Sequence, residues 1–141
     1  MKNILGVFVL AGMLAVPVMA SAADKLPEGF IAVSDTPMNW NDAVVWCKQQ
    51  GRKLPRINNS DLLGTLSGEA KDGAKIDGFG TGFGAKGAPW PSGLPNTRYW
   101  TGTRSDDSSA PSFAWIVGPY DGKVYVYLDH QSNVHRVVCV P

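Results

Sequence analysis

The feature that most restricts the fold of this 141-residue chain is its pair of cysteines, Cys47 and Cys139, which lie 92 positions apart. Two cysteines are too few to hold a zinc ion or an iron–sulfur cluster by themselves. A bond between them would close most of the chain into one loop. Two free thiols, or a bond to another molecule, would leave that loop open. The choice depends on the compartment in which the chain folds.

The first 22 residues have the pattern of a cleaved signal peptide. Lys2 precedes an uncharged apolar stretch of 16 residues from Ile4 to Met19, and the small residues Ala20–Ala22 follow it. A spanning helix needs roughly 20 apolar residues, so a retained membrane anchor is the less favoured alternative. We therefore expect residues 1–22 to be a signal peptide, with the cleavage site after Ala20 or Ala22. The mature protein is then periplasmic or secreted, with no membrane insertion.

Export favours one intramolecular disulfide between Cys47 and Cys139, because the compartment is oxidising. Such a bond would tie an early helix to the last strand. In the chain-entropy model a loop near 100 residues is worth about 4.7 kcal/mol, less any strain in the native state.

The charge balance excludes some partners. Thirteen Lys and Arg residues against twelve Asp and Glu residues give a net charge of +1, and signal cleavage removes Lys2 to leave a neutral chain. Nucleic-acid affinity depends on clustered cations, so we expect no nucleic-acid partner. The length of residues 23–141 fits one domain.

The order of patterns predicts an α+β fold with two helices, a short first strand at residues 30–33 and a small, mostly antiparallel sheet. Asn39 is a candidate N-cap for the first helix, which Gly51 ends. A second helix is predicted from Asn59 or Ser60, with an apolar stripe of Leu62, Leu63 and Leu66. Nine glycines between Gly64 and Gly93 then predict a long Gly/Pro-rich loop.

The last third of the chain is typical of strands. Four segments rich in β-branched and aromatic residues cover 99–103, 112–117, 123–128 and 134–140. The turn-rich spacers 118–122 and 129–133 predict two antiparallel hairpins. If Cys139 faces the helix, strand alternation puts Val137 and His135 on the same face and Val138 and Val140 on the other.

An ordered set of motifs resembles the C-type lectin-like superfamily. The set comprises Met38–Cys47, Gly51–Pro55, Tyr99–Thr103, Ala114–Val117 and Arg136–Val140. It is similar to the lectin-like domains that end intimin and invasin adhesins and a Legionella collagen-like adhesin. The resemblance covers residues 30–141 and implies a looped α/β fold whose first helix is bonded to the last strand.

The calcium-dependent sugar site of that superfamily does not carry over. Leu94-Pro95-Asn96 has a leucine where the resemblance requires a carboxylate or amide ligand. Calcium prefers six to eight oxygen ligands, and the loop from Gly64 to Asn96 offers only three carboxylates. We therefore expect no metal site and no cofactor.

Binding residues are predicted in the long loop and on one late strand. Trp90 lies between two prolines, and a stiffened tryptophan could serve as a platform for a sugar ring or equally as a plug against the domain. Tyr125 and Tyr127 alternate with apolar residues, so one face of their strand is aromatic. The predicted ligand-binding residues are Trp90, Asn96, Arg98, Tyr99, Tyr125 and Tyr127.

Other features are weaker. Lys48, Arg52, Lys53 and Arg56 form a basic cluster, for which a solvated helix face is favoured over contact with an acidic glycan or phospholipid headgroup. His130 and His135 are candidates for a metal site or a hydrolase, but no catalytic motif accompanies them.

The favoured function is therefore a non-enzymatic, adhesin-like recognition module for a host or cell-surface glycan or protein receptor. The alternatives are a periplasmic interaction or inhibitor protein and, less favoured, a small hydrolase. We assign no catalytic residue, and the sequence leaves the oligomeric state open.

Overall fold

The structure is a computed structural model that describes residues 26–64, 68–77, 82–105 and 112–141. The predicted signal peptide lies outside these residues. They contain one α-helix, α1, and seven strands, and no described helix is long and apolar enough to cross a membrane. The bounds are α1 Trp40–Gln49, β1 Ala32–Val33, β2 Lys75–Ile76, β3 Gly84–Ala85, β4 Tyr99–Arg104, β5 Phe113–Tyr120, β6 Lys123–His130 and β7 Val138–Cys139.

Helix α1 begins and ends at the predicted residues. The Asn39 side chain accepts a hydrogen bond from the backbone N–H of Asp42 at 2.9 Å, which satisfies one of the free donors of the first turn. At the other end Gly51 has φ 68°, a left-handed conformation that glycine adopts without steric cost. The capping predictions for Asn39 and Gly51 are confirmed.

The predicted second helix is wrong. Only a three-residue 3-10 turn, Ser60–Leu62, forms there, and Leu66 lies outside the described residues. Asn59 makes no side-chain capping bond, and the Leu62 carbonyl accepts from the N–H of Lys71 instead of from a following turn. A helix nucleus is costly, so an uncapped segment that ends at Gly64 does not propagate.

The strands form three separate antiparallel sheets, so the predicted fold of two helices and one sheet is corrected. The sheets have the orders β1-β7, β2-β3 and β4-β5-β6. Strand β5 runs three residues into the predicted 118–122 turn and pairs with β6 from Phe113↔His130 to Tyr120↔Lys123. The remaining turn is Asp121-Gly122, and both residues have positive φ (53° and 74°), as a two-residue type I′ hairpin requires.

The second predicted hairpin is also wrong, because β7 pairs with β1 and not with β6. Ala32 is opposite Cys139, and Val33 is opposite Val138. After β6 the chain crosses to the segment just before helix α1, where His135 bridges the backbone of Met38. This crossing brings Cys139 to Cys47, and their Cα atoms are 5.6 Å apart in the disulfide. The predicted intramolecular disulfide is present.

The final segment separates two core clusters. Val137 and Cys139 pack with Ala43 and Cys47 of α1 and with Trp100 in one cluster. Val138 and Val140 belong to the other cluster, whose largest members are Trp115, Tyr99 and Phe83. The predicted alternation of the last strand is therefore confirmed. Trp46, Trp100 and Trp115 lie in segments predicted as helix or strand, which favours a place in the core. Trp100 and Trp115 are buried, and Trp46 is half-buried against the first cluster.

Removal of the disulfide should destabilise the domain strongly. Replacing both Cys47 and Cys139 by alanine, or reducing the bond, restores the entropy of a 92-residue loop to the unfolded chain. We expect a loss of about 4 kcal/mol in the free energy of unfolding. The Tm should fall by more than about 10 °C. Thermal unfolding with and without reductant measures this change. The double variant is the control, since reductant should no longer shift its Tm. An unchanged Tm of the native chain after full reduction would contradict the expectation.

Candidate functional site

The β5–β6 hairpin presents a row of three tyrosine rings on its outer face. Tyr125 and Tyr127 alternate along β6 with buried apolar residues, and Tyr120 lies at the end of β5. The ring centroids of Tyr120 and Tyr125 are 5.7 Å apart, and those of Tyr125 and Tyr127 are 5.0 Å apart. We call these three residues the tyrosine row. Eight consecutive backbone pairs between the two strands hold it in place.

The tyrosine row borders a groove of about 600 Å³, which we call the tyrosine groove. Its shape depends on Gly118, which lies opposite Tyr125 in the sheet. A Cβ atom at Gly118 would lie 3.0 Å from Cγ of Arg98, so the missing side chain makes room for the arginine. The guanidinium carbon of Arg98 then lies 5.2 Å from the centre of the Tyr127 ring, within the range of a cation–π contact. The groove is lined by Glu69, Arg98, Gly118, Pro119, Tyr120, Tyr125 and Tyr127.

Glu69 supplies the acidic group of the groove. Its backbone bridges Tyr127, which fixes the carboxylate beside the row. The hydrogen bond between this carboxylate and the Tyr125 hydroxyl, followed by burial and the negative charge of Glu69, raises the pKa of Tyr125 to about 12. Lys86 lies nearby, with its ammonium 3.9 Å from the Glu69 carboxylate and 5.8 Å from the centre of the Tyr125 ring.

The Tyr127 hydroxyl is shielded from solvent and has no hydrogen-bond partner among the described residues. Burial raises the pKa of Tyr127, and the nearby Arg98 cation acts in the opposite direction. The groove therefore combines an aromatic wall, one cation and one carboxylate.

A second groove of about 550 Å³ adjoins the first and shares Arg98 and Pro119 with it. Asn96 lines this second groove, together with the exposed side chain of Val134. The full lining is Pro37, Asn96, Thr97, Arg98, Pro119, Val134, His135 and Arg136. The structure thus brings four of the six predicted binding residues to one continuous surface: Asn96, Arg98, Tyr125 and Tyr127.

The other two predicted binding residues lie elsewhere. Tyr99 is fully buried and donates its hydroxyl to the carbonyl of Pro95 at 3.0 Å. Trp90 is half-buried, stacks on Tyr99 with centroids 6.1 Å apart, and contacts Phe83 at 5.3 Å. Its indole N–H donates to the carbonyl of Leu94 at 3.0 Å. In this arrangement Trp90 packs the long loop against the core. It therefore acts as a plug against the domain and not as a platform for a sugar ring.

Sequence reasoning missed Tyr120, Glu69 and Gly118. Tyr120 fell inside a predicted turn, although Asp121-Gly122 is a typical type I′ dipeptide and would have placed Tyr120 in the last pair of a hairpin. No local signal in the sequence points to Glu69, because it reaches the groove through a backbone bridge to Tyr127, which lies 58 residues later in the chain.

Among the described residues, the aspartate and the serine that contact the histidines lie at different rings. His135 pairs with Asp129 at 2.5 Å between Nε2 and Oδ2, whereas the Ser132 hydroxyl contacts Nδ1 of the other histidine, His130, at 2.7 Å. Burial acts to raise the pKa of Asp129, but hydrogen bonds from His135, Asn133 and the His130 backbone outweigh it and hold this pKa below its usual value. Within the described ranges no three His, Cys, Asp or Glu residues are grouped so that they could hold a metal ion.

Comparison of the chain with protein-family models, with curated proteins and with solved structures gave no match. The resemblance to lectin-like domains is therefore neither supported nor opposed by a relative.

Trp90 should matter for stability. Trp90→Ala removes contacts with Phe83 and Tyr99, so we expect the free energy of unfolding to fall by about 2–3 kcal/mol. Urea unfolding followed by circular dichroism measures this loss. Trp90→Phe keeps an aromatic ring and is the matched control, with a smaller loss. A loss below about 0.5 kcal/mol for Trp90→Ala would contradict the plug assignment.

The Glu69–Tyr125 pair should be visible in a spectrophotometric titration of the tyrosines. Glu69→Gln removes the carboxylate that raises the pKa of Tyr125, so this pKa should fall from about 12 toward the ordinary value of 10. The near-ultraviolet absorbance of the phenolate, compared with that of Tyr125→Phe, identifies the tyrosine whose pKa changes. A titration curve of Glu69→Gln identical to that of the unmodified protein would contradict the hydrogen bond between Glu69 and Tyr125.

Proposed function

We propose that this protein is an exported, non-enzymatic recognition module that binds a glycan in the tyrosine groove. The observation that supports the proposal is the row of three tyrosine rings with Arg98 at one ring and Glu69 at another. These side chains meet in one groove, although they come from three distant parts of the sequence.

The chemistry of the groove suits a sugar. A sugar ring has apolar C–H faces and a polar edge of hydroxyl groups. The faces can pack on the rings of Tyr120 and Tyr125, which provide apolar area with a polar tip. The hydroxyl groups can accept from the guanidinium of Arg98 and donate to the carboxylate of Glu69. This mode of binding requires no metal ion, in keeping with the absent calcium motif.

The aromatic wall of the groove is built on paired strands. Tyr125 and Tyr127 belong to β6, and Gly118 belongs to β5, so the ring positions are fixed before a ligand arrives. A preorganised site loses less conformational freedom on binding.

We place the mature protein in the periplasm or outside the cell. The disulfide between Cys47 and Cys139 is compatible with that location, since such bonds persist in oxidising compartments. The signal-peptide pattern of residues 1–22 supports the same location.

A protein receptor or periplasmic partner is the second candidate. Tyr120 is 72% exposed, and Val134 is 56% exposed beside the adjoining groove. Tyrosine and arginine are enriched among the residues that dominate protein–protein affinity. The two grooves together would then form one contact surface.

A glycan array probed with the labelled mature domain tests the proposal, followed by calorimetric titration of each glycan that binds. Tyr120→Ala and Arg98→Ala should each weaken binding at least about tenfold, which corresponds to about 1.4 kcal/mol. Val45→Ala is the matched control, because Val45 is an exposed apolar residue of α1 that lines neither groove. Its affinity should stay within about twofold of the unmodified protein.

The two candidates predict different results. If no glycan binds, but a protein co-purifies with the domain and is lost with Tyr120→Ala, the partner is a protein and the glycan proposal is wrong. Equal affinity of Tyr120→Ala, Arg98→Ala and Val45→Ala for a bound glycan would place the site elsewhere.

A further inference from the structure

A third groove, separate from the two described above, lies between helix α1 and the bulge of strand β4. Its volume is about 360 Å³. Trp40 and Val44 of the helix, both half-buried, and the buried Leu54 form its apolar floor. Four exposed cations surround the floor: Lys48, Arg52, Lys53 and Arg56. We call this site the basic groove.

The floor is rigidly held. The Trp40 indole N–H donates to the backbone carbonyl of Thr101 at 2.9 Å, which fixes the ring against β4. On the other side, the N–H of Gly102 donates to the carbonyl of Pro55 at 2.7 Å where the register of β4 shifts. These bonds keep the segment that carries Arg52, Lys53 and Arg56 beside the helix.

The four cations have no acidic partner in the part of the chain that the structure describes. Among the described residues, no salt bridge joins Lys48, Arg52, Lys53 or Arg56 to a carboxylate. Only Lys48 belongs to helix α1, so the solvated helix face favoured from the sequence does not describe the cluster. The mature chain is expected to be neutral overall, yet four of its cations gather at one depression. Their charge is thus available to a ligand.

We propose that the basic groove binds an acidic polysaccharide, with carboxylate or sulfate groups on the cations and a sugar ring on the apolar floor. Arg52 and Arg56 carry planar guanidinium groups that can hold a carboxylate or sulfate with two hydrogen bonds. Trp40 offers an aromatic surface for the C–H face of a ring. An anionic lipid surface fits less well, because the apolar residues form the floor of a concave site and the cations form its exposed rim.

The test uses two labelled polysaccharide probes, a size-fractionated heparin oligosaccharide and an alginate oligosaccharide, with binding measured by fluorescence anisotropy. Arg52→Gln combined with Arg56→Gln should weaken binding of both probes at least about tenfold. Lys71→Gln combined with Lys123→Gln is the matched control, since it removes two exposed cations outside the basic groove. The affinity of this control should stay within about twofold.

Two further variants locate the ligand. Trp40→Phe should weaken binding, because it changes the aromatic floor and removes none of the four cations. The Tm is measured in parallel, since this variant also loses the hydrogen bond to Thr101. Tyr120→Ala should leave binding unchanged, which separates this inference from the proposed function. Loss of binding in Tyr120→Ala would seat the polysaccharide in the tyrosine groove and overturn the basic-groove assignment.

Three other outcomes would also overturn the inference. The first is no binding of either probe at moderate salt. The second is an equal loss in the two double variants, which would show attraction by bulk charge only. The third is preferential binding of phosphatidylglycerol vesicles or of an oligothymidylate over both polysaccharides.

Discussion

The bond between Cys47 and Cys139 is the constraint on which the rest of the structure depends. It joins helix α1 to the last strand and closes a loop that contains strands β2 to β6. Strand β7 can pair with β1 only because the chain crosses from the end of β6 back to the helix. The same crossing places the final segment between the two core clusters, so its alternate residues bury against opposite sides. The short strands thereby bury their apolar residues in two clusters, one on each side of that segment.

Many features of this interior follow from local chemistry. The cap of α1 at Asn39, its end at Gly51 and the burial of Trp100 and Trp115 could be predicted from residue type and spacing. The alternation of the last strand could be predicted as well, because one residue with a fixed direction determines the rest.

The errors arose where tertiary contacts override a local pattern. Leu62 and Leu63 have the spacing of a helical stripe, but both pack on the core from a single 3-10 turn. Strand β7 carries a hairpin-like pattern and nevertheless pairs with the first strand.

The candidate site likewise combines residues that a local pattern predicts with residues that only tertiary contacts bring there. Tyr125 and Tyr127 are visible from their alternation, whereas Glu69 joins them only through a long-range bridge. Trp90 could have been a platform or a plug, and only its stacking on the buried Tyr99 separates the two arrangements.

The alternation of strand β6 separates the positions that form the core from the positions that shape the groove. Val124, Val126 and Leu128 hold the strand in the core, while Tyr125 and the neighbouring Tyr120 of β5 face the groove. Substitutions at the outward positions can therefore change the chemistry of the groove while the packing beneath them stays intact. The hairpin would then be a constant scaffold, with its backbone and core unchanged, on which different side chains line the groove. Gly118 limits this freedom, because any larger residue there would press on Arg98.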